Sequence, residues 1–264
     1  MHSRVTGRLV SIAASFGMLS VSLTANAAGA QHFSADYAVS LFGLTLARTS
    51  FTSTVDGQSF SIKGTIASAG VARIIDDTKG TTTVNGRLTP SGAQPQSFLV
   101  AYTSGKKKKR TAIEFTGDTV SHTENIPPLK KQKNWVPLGP NDLKAVTDPL
   151  SLTLVKAESP NAVCSHTLKY YDGELRADIR LSYAGTAPYS VPGYSGEATV
   201  CSAHFVPVAG YRTTNSTLKY LRDKSKMKIS FVPMGSTGIY APIAASIGTK
   251  IGTVEVRAEK FTSE

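Results

Sequence analysis

Two cysteines and two histidines stand closest to a recognisable chemical set in this sequence. Cys164-Ser165-His166 and Cys201-Ser202-Ala203-His204 together offer two sulfurs and two imidazoles. That is the donor set of a zinc site. On a strand, positions i and i+2 share a face and i and i+3 do not, so His204 points away from Cys201. An isolated pair in an oxidising compartment is most simply a disulfide, and that is the expectation for Cys164 and Cys201. No metal and no other cofactor is expected.

The loudest local feature is Lys106-Lys107-Lys108-Lys109-Arg110. It follows Phe98, Val100 and Tyr102 and precedes Ile113 and Phe115, which sets it in or beside a hairpin turn. Lys130, Lys131 and Lys133 form a second cluster, and Lys224, Lys226 and Lys228 share one face of an expected strand. The functional reading is a surface for anionic headgroups or acidic wall polymers. The alternative is a solvated face that keeps the protein soluble.

Catalytic signatures are sparse. There is no Gly-x-Ser-x-Gly elbow, His-Glu-x-x-His, Walker loop or dinucleotide fingerprint. Beyond residue 27 the histidines are His32, His122, His166 and His204, each without a carboxylate and serine at triad-like spacing. Asp76-Asp77 are adjacent acids before a Lys-Gly turn, and Asp172 in Tyr171-Asp172-Gly173 is ordinary turn chemistry. An envelope hydrolase or transferase would have to gather Asp76, Asp77, His122 or His204 from separate loops. The expectation is a protein that is not an enzyme.

The elements that carry these residues are strands. Leu175, Ala177, Ile179, Leu181 and Tyr183 alternate with Arg176, Asp178, Arg180 and Ser182. Val254, Val256 and Ala258 alternate with charged and polar neighbours, as do Phe60, Ile62 and Ile66. A period of two with one dry face belongs to an antiparallel sheet curled over a core. Asp56-Gly57, Asn85-Gly86, Gly117-Asp118 and Asp172-Gly173 are the expected hairpin turns. Asp148-Pro149 opens an expected short helix over residues 149–157, with Asp148 as cap. A second helical turn is expected between Ile66 and Asp77, and residues 125–147 form a long proline-rich connection. Ten to twelve strands are expected. The fold class is all-β, a curled antiparallel sheet forming an open or partly closed barrel, with one or two short helices. Its aromatic positions (Phe33, Tyr37, Phe42, Phe51, Phe60, Phe98, Tyr102, Phe115, Tyr183, Phe231) either fill the interior or line a cavity for an acyl chain.

Length, charge and the N-terminus place the domain. Residues 1–27 read as a secretory signal: His2, Arg4 and Arg8, an apolar stretch from Leu9 to Leu23, then Ala25-Asn26-Ala27 before the cut. Residues 28–264 then form a single domain in the periplasm. The whole chain carries a formal net charge of +11 with 41% apolar and 18% charged residues, which excludes a disordered chain and suggests anionic partners. Nucleic acid is a poor partner for an exported protein.

The order of landmarks resembles a known family. Tyr37-x-Val39-x-Leu41-x-Gly43 opens the domain, Gly70 follows the second hairpin, and Asp148-Pro149-Leu150-Ser151 lies near the middle. Cys164, Tyr171-Asp172-Gly173, Arg176, Cys201 and Gly210 then follow. Over residues 33–262 this resembles a family of exported domains of unknown function, common in Gram-negative bacteria and especially alphaproteobacteria. The resemblance implies a β-rich periplasmic protein, similar in outline to the open barrels of lipoprotein carriers, and brings no catalytic residue or cofactor. The expected function is binding an amphipathic envelope component, lipid or lipoprotein-like, or serving as an envelope-integrity adaptor for a periplasmic or outer-membrane protein. Apolar inward positions would receive an acyl chain, and Lys106 to Arg110 would meet the headgroup, with peripheral membrane contact.

Overall fold

The computed structural model describes residues 29–263, apart from 71, 76, 131 and 132. The signal-sequence reading of residues 1–27 therefore lies outside the described residues. The first strands are β1 (Gln31–Leu41), β2 (Leu44–Asp56), β3 (Ser59–Ser68), β4 (Thr78–Thr89), β5 (Gly92–Ser104), β6 (Lys107–Thr116) and β7 (Thr119–Ile126). The short strands β8 (Trp135–Val136) and β9 (Val155–Lys156) lead to β10 (Thr167–Tyr171), β11 (Arg176–Val191), β12 (Tyr194–Ala209) and β13 (Tyr211–Arg212). Last come β14 (Met227–Pro233), β15 (Ile239–Thr249) and β16 (Gly252–Ser263). Helices α1 (Ala72–Ile75) and α2 (Ser216–Asp223) are short.

One antiparallel sheet runs in the order β10-β11-β12-β14-β15-β16-β1-β2-β3-β4-β5-β6-β7. The last strand, β16, pairs with the first, β1, in the middle of this order. The period-two pattern sets its inner face. Phe33, Ser53, Ile62, Val84, Phe98 and Ile113 stand opposite one another across β1 to β6. All but Ser53 are buried.

Several sequence expectations change. The described residues form sixteen strands rather than ten to twelve, because short pieces such as β8, β9 and β13 pair outside the alternating runs. Asn85-Gly86 is not a turn: it lies inside β4, at a register shift against β5, and the chain reverses at Pro90-Ser91 instead. Gly86 is there because a Cβ would sit 2.6 Å from the Phe60 ring. The helix expected over 149–157 is one 3-10 turn, Ser151–Thr153, after which Val155-Lys156 pairs with β15 as β9. Asp148 does cap it, accepting from the Leu150 and Ser151 amides at 2.8 and 3.0 Å. Phe42 and Tyr183 do not point into the interior, being 75% and 52% exposed. Phe42 has φ +53°, and with Gly43 at +76° it forms the β1–β2 turn. Holding a bulky side chain in that left-handed region costs about 1–2 kcal/mol.

The sheet does not close by direct pairing of its edges, β7 and β10. Residues 142–147 run between them instead. On one side Ala145 donates to Asp118 O at 2.8 Å and Val120 donates to Leu143 O at 3.0 Å. On the other, Thr147 donates to Lys169 O at 3.0 Å and Tyr171 donates to Thr147 O at 2.9 Å. Arg176 anchors this seam. Expected on a wet face, it is only 6% exposed. Its guanidinium donates to Asp142 O, Ala177 O and the Asp178 carboxylate at 2.9, 2.6 and 2.5 Å.

A second core lies under the far sheet half. Cys164 and Cys201 are disulfide-bonded there, with Cα atoms 5.4 Å apart. Both are buried among Val155, Val163, Leu181, Ala203, Phe231 and Tyr240. Cys164 sits in a 3-10 turn, Asn161–Ser165, rather than on a strand. The bridge ties this turn across β11 to β12.

Two outcomes follow for stability. Replacing both cysteines by alanine should lower unfolding free energy by about 4 kcal/mol, as the chain-entropy model gives for this loop. Urea titration would check it, and a variant as stable as the parent would contradict it. Arg176→Met strands Asp178 and two carbonyls, and should cost about 3–5 kcal/mol in the same titration.

Candidate functional site

The inner faces of β1, β2, β15 and β16 do not fill the space between them. Phe33, Tyr37, Phe51 and Phe261 wall a partly enclosed cavity of about 280 Å³. Leu150, Thr153 and Leu154 cover it from the 3-10 turn, and Ala35, Ala241 and Ala245 leave the room that larger side chains would take. Tyr37 packs edge-to-face on Phe51, with ring centroids 6.0 Å apart. Its hydroxyl donates to Pro242 O at 2.7 Å. Burial, with the Tyr189 phenol adding to it, pushes Tyr37 well above the ordinary phenol range. Its hydroxyl therefore stays protonated and committed. The lining contains no Asp, Glu, His, Lys, Arg or Cys. The cavity wall is therefore almost entirely apolar, the character of one that meets aliphatic or aromatic groups.

The inner face continues away from the cavity. Thr49, on the cavity wall, starts a cross-strand row with Ile66, Gly80, Tyr102 and Lys109. From β2 to β6 that row spans about 19 Å at normal strand spacing. Lys109 stands 5.9 Å from the Tyr102 ring centroid, on the cavity's side of the sheet. Alternation puts Lys107 on that side too, with Lys108 and Arg110 on the other. Lys106 occupies the β5–β6 turn. Lys106 to Lys109 are exposed, whereas Arg110 is ion-paired with Glu124. The pentabasic run is thus divided: two lysines face the groove, and the arginine is already engaged. Burial and the Asp172 charge raise the Glu174 carboxyl, and Lys109 pulls it back down.

The other sequence candidates lie apart. Lys130 and Lys133 are exposed beyond β7, and Lys131 lies outside the described residues. Lys224 caps the C-terminus of α2, Lys226 precedes β14, and only Lys228 is within that strand. His166 Nδ1 lies 3.0 Å from Val163 O. His204 is exposed, on the strand face opposite buried Cys201. Asp77 is exposed and pairs with Lys79 at 3.1 Å; Asp76 lies outside the described residues. His122 is exposed on β7. Among the described residues no three His, Cys, Asp or Glu side chains gather as a metal site. The sequence pattern places the lid residues Leu150 and Leu154 in a short helix and gives them no part in a cavity. Their signal was the Asp148-Pro149 cap that fixes the turn over the cavity.

Fold and site together define an open, β-barrel-like protein with an apolar interior cavity. The chain belongs to a family of proteins of unknown function, DUF3108, whose model matches residues 33–259. No functionally curated protein matches the sequence. Among solved structures it is similar to the crystal structure of a β-barrel-like protein of domain of unknown function DUF1849 from Brucella abortus. The TM-score is 0.49 at 8% identity, covering 88% of this chain and 98% of that one.

The lid anchor yields a pH test. Asp148 is fully buried, and burial raises its carboxyl above the ordinary 3.8, against the lowering effect of its bonds to Ser151 and Leu150. The native state then holds the proton more tightly than the unfolded chain. Its stabilising contribution is complete below the unfolded value and is lost as pH rises through the native one. Asp148→Asn keeps an acceptor for both amides and removes the buried charge. The melting temperature of Asp148→Asn relative to the parent should therefore increase between about pH 4 and pH 8. A difference independent of pH would contradict the assignment.

Proposed function

We propose that this protein is a non-enzymatic periplasmic binder of an amphipathic envelope lipid, with one aliphatic chain in the cavity. The observation that carries this reading is the apolar wall around about 280 Å³ of partly enclosed space. Ligand pockets for drug-sized molecules run from about 300 to 1,000 Å³, so the space favours a single chain over a multiply acylated lipid. Burying about eight methylenes is worth roughly 6 kcal/mol before ordering costs are subtracted. That corresponds to dissociation constants of tens of micromolar at best, suited to exchange rather than storage.

The headgroup is anionic and lies toward Lys107 and Lys109, at the far end of the Thr49–Lys109 row. The disulfide fits an exported protein. The hydrolase or transferase alternative gains no support from Asp77, His122 and His204. They stand before β4, on β7 and on β12, and none lines the cavity.

The test is titration with a fluorescent long-chain fatty acid, alongside mass spectrometry of lipids extracted from protein isolated from its native envelope. Ala245 lies opposite Val256 on the cavity wall. Ala245→Phe should weaken fatty-acid binding at least ten-fold while the far-ultraviolet spectrum is unchanged. A parent protein that binds no fatty acid, or an Ala245→Phe variant that binds as well as the parent, would sink the proposal.

A further inference from the structure

We propose that the end of the barrel carrying the β1–β2, β5–β6 and β15–β16 turns docks on an anionic lipid bilayer. Phe42, Ile251 and Leu44 are the three most exposed large hydrophobics among the described residues, at 75%, 68% and 57%. All three lie at hairpin tips. Leu41 pairs with Val254 across β1 and β16, so the two tips are neighbours. A Cβ on Gly252 would lie 2.7 Å from the Phe42 ring.

Folding does not account for these side chains. The Phe42-Gly43 turn has positive φ at both positions, the geometry that asparagine-glycine satisfies without strain. A phenylalanine there is both strained and largely in water, and such outliers concentrate at functional sites. The opposite end supplies the contrast. Its tips, at Gly57-Gln58, Pro90-Ser91, Gly117-Asp118, Pro192-Gly193 and residues 235–238, expose no large hydrophobic residue.

The charges select the partner. Lys250 adjoins Ile251, and both are exposed. The β5–β6 turn brings Lys106, Lys107, Lys108 and Lys109 to the same end, since successive antiparallel hairpins alternate ends. Lys226 joins them, its carbonyl accepting from Gly248 at 3.0 Å. Most acids at this end are already engaged: Asp77 with Lys79, Glu124 with Arg110, Asp223 with Arg222, and Asp172 with the Glu174 and Leu175 amides. Glu174 lies beside Lys109, and Glu255 stands on β16. Projecting apolar tips among lysines match a bilayer interface with negative headgroups. A second copy would bring like-charged lysine clusters together, which opposes self-association. This docking does not depend on what the cavity binds.

The experiment is co-sedimentation of protein purified after expression of the full chain. Vesicles of equal parts phosphatidylglycerol and phosphatidylcholine are compared with vesicles of phosphatidylcholine alone. Binding to the anionic vesicles should be at least ten-fold tighter and should weaken with added salt. Phe42→Asn combined with Ile251→Ser should weaken it at least ten-fold. Phe42→Asn alone should melt no lower than the parent, because Asn-Gly suits the turn, so lost binding is not lost folding. Fatty-acid titration should be unchanged in these variants, and Ala245→Phe should still sediment with vesicles, which keeps the two proposals separable. Absence of parent binding to anionic vesicles, or unchanged binding by the double variant, would overturn the docking proposal. So would concentration-dependent dimerisation that Phe42→Asn abolishes.

Discussion

A long antiparallel sheet that curls without closing leaves two edges, and everything else in this fold depends on covering them. Unpaired edge strands offer rows of free amides and carbonyls that recruit other chains. Here β7 and β10 are joined through residues 142–147, which bond both edges at once. The strap is irregular, so it needs fixing at its ends. Arg176 fixes one by donating to Asp142 O. Asp148 fixes the other by capping the turn that follows. The β10–β11 turn adds a third tie, with the Asn125 side chain donating to Gly173 O at 2.9 Å.

The curl then sets what lies inside. Barrels of about eight strands are just wide enough for side chains to fill, and larger ones enclose cavities. A sheet of fourteen strands exceeds that size. The interior core draws on β1 to β7 and also on β12, β14, β15 and β16. The disulfide cluster packs on the opposite face of β11, β12, β14 and β15, as the alternation of Phe231 with Val232 and of Tyr240 with Ala241 shows. Between the 3-10 lid and the walls of β1, β2, β15 and β16, apolar space is left over. The cavity is thus a consequence of sheet width, kept open by alanines where larger residues would have closed it.

Much of this was legible in the chain because period two and turn residues are local signals. Phe60 and Ile62 of β3 and Ala258 of β16 are buried as the alternation requires, though Ile66 is 40% exposed. Asp56-Gly57, Gly117-Asp118 and Asp172-Gly173 do fall at chain reversals. The cysteine pair was legible because two lone cysteines in a chain expected to be exported are most simply joined. What misled has a common cause: a local pattern carrying more than one structural meaning. Asn85-Gly86 has turn composition, yet its glycine exists to admit the Phe60 ring. Arg176 sits in phase with polar neighbours, but the distant Asp142 O, joined by Ala177 O and the Asp178 carboxylate, draws it inside. Phe42 has the residue type of an interior position, but it falls out of phase with Phe33, Ala35, Tyr37, Val39 and Leu41 and stands in the turn one residue past the end of β1. The cavity itself left no local trace, since filled and hollow interiors use the same residue types.

The energetics of the hollow bear on its purpose. An apolar void destabilises by about 24 cal/mol per Å³, so some 280 Å³ would cost roughly 7 kcal/mol if sealed and empty. Partial access to solvent lowers that figure, making it an upper bound. The gross gain from burying about eight methylenes there is roughly 6 kcal/mol, of the same order. An aliphatic chain would thus restore most of what the open space withholds. The disulfide contributes about 4 kcal/mol on the opposite side of the sheet, away from the cavity. The fold therefore keeps its stabilising cross-link where the sheet is packed, and leaves unfilled the region whose walls carry no charged group.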